Sequence, residues 1–133
     1  EHMHDPSKTL TAIHGMIKPG GLLVLVVPNS ASWVLRVLGL RWEDLQRANS
    51  GEHLYFFDSK SLRQILEKSG FEALEINTIG RYFSSGELCN RLQIYNKSIF
   101  SSLGKIVEHL GLEERNIYVN PLLKLIAFAR KVE

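Results

Sequence analysis

The side chains best placed to do chemistry near neutral pH are histidines, with His2, His4 and His14 crowding the start of the chain and His53 opening the stretch HLYFFD beside Tyr55. Imidazole changes charge close to pH 7, so a histidine such as His2 can take a proton from an oxygen nucleophile. A helix-entry or packing role is the alternative for His2. Three early histidines also imitate a metal cluster, but no acidic or cysteine partner stands at ligand spacing on a defined element, so no metal site is expected. His4 and His14 read as solvent-facing or helix-surface residues.

Asn29 is the next candidate, because it follows an apolar strand and would stand where open α/β sheets receive their ligands. A turn-forming asparagine is the other reading. Trp33 and Trp42 can line a substrate cap, although aromatic residues at helical spacing also build cores.

These residues need elements to hold them. Asp5 before Pro6 is a helix start, and Leu10, Ile13 and Ile17 recur at helical spacing until Lys18-Pro19-Gly20-Gly21 stops the helix. Residues 22–27 are apolar throughout, which predicts a central strand covered on both faces. A helix is expected over 30–40, presenting Trp33, Val34, Val37 and Leu38. A second helix begins at Asp58, turns Leu62, Ile65 and Leu66 inward and ends at Gly70, where Phe71 seals the helix terminus and opens a strand running to residue 78. One or two amphipathic helices follow between Leu88 and Leu110, with Cys89 packed among them. Asn120-Pro121 restarts the chain, and a strand over 122–132 ends it. Helix, strand, helix, strand implies an α/β fold with a right-handed crossover in a parallel sheet.

Bulk composition narrows the classes. The sequence has 133 residues, 44% hydrophobic and 23% charged, with a formal charge of +2. That length suits one domain with a real core, and so small a charge gives no argument for nucleic acid. No apolar run approaches the ~20 residues of a membrane helix. A single cysteine excludes an internal disulfide and points to a reducing, cytoplasmic setting.

The stretches EHMHDP, IKPGGLLVLVVPN, EHLYFFDSKSLRQILEKSGFEALEI and the terminal IAFARK stand in an order that resembles the C-terminal half of a class I S-adenosylmethionine-dependent methyltransferase of the small-molecule type. The resemblance implies a partial Rossmann-like sheet in which 22–27, 72–78 and 122–131 match the fifth, sixth and seventh strands. Flanking helices and a helical insertion at about 81–120 complete the expected organisation of residues 1–133 as the later part of a methyltransferase domain.

It also implies roles. His2 falls at the edge shared by cofactor and substrate, and His53 and Tyr55 fall near the substrate mouth, so His2 and His53 are the catalytic candidates, with Asn29, Trp33 and Tyr55 binding substrate. For His53, a loop hydrogen bond while Phe56 and Phe57 plug the core is the alternative. No cofactor-binding residue is assigned: Gly20-Gly21 precedes a strand instead of following one, and the family's glycine-rich loop has no counterpart. The full-length parent is expected to transfer a methyl group from S-adenosylmethionine to a small-molecule acceptor. The isolated chain is expected to be inactive and to self-associate through the strand edge left without its neighbour. The competing expectation is a non-catalytic module whose helices at 30–45 and 84–110 bind a protein or a membrane surface.

Overall fold

The computed structural model describes residues 2–33, 37 and 54–132. Their elements in chain order are helix α1 (Pro6–Met16), strand β1 (Leu22–Pro28), helix α2 (Ser59–Lys68), strand β2 (Phe71–Ser84), helices α3 (Ser85–Leu92) and α4 (Lys97–His109), and strand β3 (Asn116–Lys131). The chain divides into two compact units, Glu1–Ile79 with Pro121–Glu133, and Gly80–Asn120.

In the first unit the three strands pair in the order β1-β3-β2. β1 and β3 are antiparallel, in a register running from Leu22 opposite Arg130 to Pro28 opposite Lys124. The expected parallel sheet is therefore corrected to an antiparallel one. The last strand inserts between the two earlier ones, and local patterning carries no record of so distant a partner.

The expectation that β1 is covered on both faces is also overturned. Leu23 and Leu25 pack against the core and Val27 is buried within it, whereas Leu22, Val24 and Val26 are 64%, 52% and 48% exposed. Both strand faces are apolar in sequence, but only alternate side chains point at the helices.

The helices form where their caps require. The Asp5 carboxylate accepts from the Lys8 N–H at 3.0 Å, and Asp58 forms a full capping box with Ser61. These hydrogen bonds to the ionised form, from the Lys8 backbone foremost for Asp5 and the Ser61 hydroxyl foremost for Asp58, hold both carboxyls below the ordinary aspartate pKa. At the far end of α1, the Lys131 ammonium donates to the Ile17 and His14 carbonyls, both at 2.9 Å. A cation thus satisfies the orphan acceptors at the negative end of the helix dipole. Leu10 from α1, Leu62 and Leu66 from α2, and Phe71, Ala73, Leu125, Ala127 and Ala129 from the sheet make the core.

Two strands are longer than expected. β2 continues past residue 78 to Ser84, and β3 begins at Asn116, so Asn120-Pro121 lies inside a strand instead of restarting the chain. In the second unit, α3 and α4 are separate helices because Asn96 caps the second, its side chain accepting from the Ile99 N–H at 3.1 Å. Cys89 is buried there as expected. The 30–40 helix falls largely outside the described residues.

His14 is half-buried, not solvent-facing, and meets Phe71 edge-on with centroids 5.2 Å apart. That packing depends on Gly70, whose φ of +86° suits glycine and where an added Cβ would come within 2.7 Å of the His14 ring. Gly70→Ala should therefore destabilise the protein by about 1–3 kcal/mol in urea unfolding. Gly15→Ala, in α1 with open space at the Cβ position, should stabilise it by about 0.5–1 kcal/mol.

Candidate functional site

Of the described candidates, Asn29 and Tyr55 are joined near the C-terminal end of β1. Asn29 continues the strand, its N–H donating to the Leu123 carbonyl at 2.8 Å, while the Ser30 N–H donates to the Phe57 carbonyl at 2.9 Å. Asn29 and Phe57 thereby form a parallel bridge. Two stretches distant in sequence, 29–30 and 54–57, are held side by side just before the Asp58 cap.

Asn29 is 7% exposed. Its Nδ2 donates to the Leu122 carbonyl at 2.8 Å and its Oδ1 accepts from the Ala31 N–H at 3.1 Å. Leu122 has a φ of +62°, the one positive value among the described non-glycine residues, a conformation that costs a β-carbon-bearing residue on the order of 1 kcal/mol. The amide of Asn29 therefore clamps a strained turn of β3 against the end of β1, and the turn-forming reading of this residue describes what its side chain does in the structure.

Tyr55 ties in the N-terminal stretch. Its hydroxyl donates to the His4 carbonyl at 2.9 Å, and its ring stacks on Phe57 with centroids 6.3 Å apart. One run of contacts thus joins Asn29, Phe57, Tyr55 and the stretch carrying His2 and His4, both exposed. Trp33, four residues beyond Asn29, is 61% exposed. His53 and Trp42 lie outside the described residues. No group of three or more histidine, cysteine, aspartate or glutamate side chains among the described residues could hold a metal ion.

Sequence reasoning missed Leu122 and Phe57. Phe57 packs against the core as expected, and its main chain makes the bridge that the sequence did not announce. Nothing in a leucine announces a left-handed backbone, although the preceding Asn120-Pro121 marks the place as irregular.

A family profile described as a methyltransferase domain matches residues 1–76, which holds α1, β1, α2 and the whole run of contacts just described. The chain belongs to the methyltransferase domain family. Its structure matches that of a Bacillus halodurans C-125 protein assigned as a methyltransferase, with a TM-score of 0.54 at 17% identity over 99% of this chain and 60% of that one. Haemonchus contortus phosphoethanolamine N-methyltransferase 2, solved with phosphomonomethylethanolamine and S-adenosylhomocysteine, gives a TM-score of 0.46 at 15% identity over 99% of this chain and 31% of that one. No curated protein matches the sequence. This methyltransferase-domain chain therefore spans three-fifths of the length of the Bacillus protein.

In this methyltransferase domain the clamp at Asn29 has a measurable value. Asn29→Ala takes its side-chain donor from the half-buried Leu122 carbonyl, which should cost about 1–2 kcal/mol. Circular dichroism during chemical unfolding checks it, and Asn29→Asp, which replaces the donor with an acceptor, should be at least as damaging.

Proposed function

We propose that the chain forms part of the acceptor side of an S-adenosylmethionine-dependent methyltransferase that modifies a small molecule. The supporting observation is the convergence of Asn29, Tyr55 and the His2–His4 stretch at the C-terminal end of β1, inside the residues matched to the family. Ligands of open α/β sheets bind at that end of the strands. In this reading β1, β2 and β3 correspond to the fifth, sixth and seventh strands of the family sheet, and Gly80–Asn120 to an insertion between the last two.

In this reading the Gly20-Gly21 pair is not the cofactor cradle. The Gly21 N–H donates to the Lys18 carbonyl and the Gly20 N–H to the Lys131 carbonyl, so the glycine pair spends its amides inside the protein. S-adenosylmethionine would bring the methyl group in the whole enzyme, held by other residues. On the acceptor side, His2 takes a proton from the nucleophile and His53 helps to place it. Tyr55 and Trp33 offer apolar ring faces to the acceptor's body, and Asn29 sets the edge they surround. Such a reaction draws much of its rate from alignment, so a scaffold that fixes positions is itself catalytic equipment. A cytoplasmic setting, argued from the lone cysteine, belongs to the same proposal.

The test has two arms. Calorimetric titration of the 133-residue chain with S-adenosylmethionine should show no micromolar binding. In the full-length parent, which should transfer the methyl group, His53→Ala should lower turnover about 10²-fold with cofactor affinity unchanged. Micromolar binding by the chain alone, or unaltered turnover, overturns the assignment of roles.

A second reading, self-association of the isolated chain, has its own support. Among the described residues only β3 pairs along the length of β1, and the exposed Leu22, Val24 and Val26 carry no charge to blunt that edge. At roughly 25 cal/mol per Å2, a few hundred Å2 of such surface favours burial by several kcal/mol. Sedimentation of the chain should be concentration-dependent, and Val24→Lys should return it to a monomer.

A further inference from the structure

The Gly80–Asn120 unit lies outside the residues matched to the methyltransferase domain, and it has a cavity of its own. Between α3, α4 and the chain entering β3 is a space of about 530 Å3, within the range of about 300–1,000 Å3 that small-molecule pockets occupy. Leu88 and Cys89 line it from α3, Leu103 and Val107 from α4, and Leu112 and Ile117 from the chain beyond. An apolar body fits such walls.

One charge stands in this lining. Arg115 is exposed, and among the described residues its guanidinium makes no ion pair or hydrogen bond. Its main chain, in contrast, is firmly held. The Ser85 N–H and hydroxyl both donate to the Arg115 carbonyl, at 2.9 and 3.0 Å, and the Arg115 N–H donates to the Leu112 carbonyl at 3.0 Å. A fixed backbone thus presents an unpaired cation beside an apolar space. Glu113 and Glu114 precede it in sequence but do not line the cavity.

We infer that this cavity binds a single-chain amphiphile, its aliphatic chain among Leu88, Leu103 and Val107 and its anionic head on the Arg115 guanidinium. A planar guanidinium suits a carboxylate in particular, since the two can pair through parallel hydrogen bonds. Ile99 and Ile106 of α4 and Leu110, which caps it, are exposed and recur with Leu103 at intervals of four, three and four. So narrow a stripe is a poor match for a membrane surface, which favours a broad apolar face opposed by a strongly basic one. The inference does not rest on the methyltransferase reading.

The probe is dodecanoate below its micelle concentration, titrated calorimetrically into the 133-residue chain, with dodecanol and dodecyltrimethylammonium as head-group controls. Dodecanoate should bind with micromolar affinity and more tightly than either control. Arg115→Gln should weaken it about tenfold, as loss of one charge-assisted pair implies, and should erase its advantage over dodecanol. Val107→Trp, which fills the cavity, should abolish binding. Should that variant fail to fold by circular dichroism, the exposed-side change Leu103→Gln decides the point by weakening binding of all three probes. Absence of dodecanoate binding, equal affinity for the cationic amphiphile, or binding only to phosphatidylglycerol vesicles would overturn the inference, the last in favour of a lipid leaflet.

Discussion

The antiparallel ladder between β1 and β3 is the constraint on which the first unit depends. Its register sets Leu23 opposite Ala129, Leu25 opposite Ala127 and Val27 opposite Leu125, so the helix-facing surface of the central strand carries small residues at two of these three positions. Ala127 and Ala129 are fully buried, and their small side chains leave room for Leu10, Leu62 and Leu66 to reach the sheet. A slip of one residue would send Ile126 and Phe128 inward and the alanines out. Such a shift would overfill the core and break the clamp at Asn29 together, because both hang on the same ladder.

The same pairing makes the two ends of the sheet different in kind. At the end where β1 begins, Lys131 of β3 reaches the last carbonyls of α1, and His14 packs on Phe71 beneath the left-handed turn at Gly70. Each group there terminates an element. At the other end, Asn29 holds a strained backbone, Phe57 joins as a bridge, and Tyr55 secures the N-terminal stretch. These contacts position loops instead of closing helices. The end with positioned loops is the one on which the proposed acceptor role rests.

The helices were legible because their signals are local. Asp5 and Asp58 cap the helices they introduce, Gly70 takes the positive φ that ends α2, and the inward-facing leucines fall at the helical period. The sheet was only half legible. Residues 22–27 announce a strand by their composition, but an unbroken apolar run cannot say which partner lies beside it or how many faces are covered. The placement of β3 between β1 and β2 is a long-range event, and it turned the expected parallel sheet into an antiparallel one. For the candidate site, the sequence marked Asn29 and Tyr55, yet what each holds, a leucine carbonyl and a histidine carbonyl, is backbone chemistry that no residue type discloses.

Backbone acceptors explain why the site is hard to read. A side chain whose polar atoms are committed to distant carbonyls resists movement, since leaving either partner strands a buried polar group. Asn29 is committed in this way at both its amide nitrogen and its amide oxygen. It spends its hydrogen bonds on geometry, and in the proposed reading reactivity falls to neighbours such as the exposed His2, in the stretch whose His4 carbonyl Tyr55 holds. If the proposed methyl transfer holds, such a division would suit a reaction governed by alignment. It follows that substitutions in the frame should register first as lost stability, and substitutions at the rim first as lost or altered turnover, which is the distinction by which the two sets of residues can be told apart.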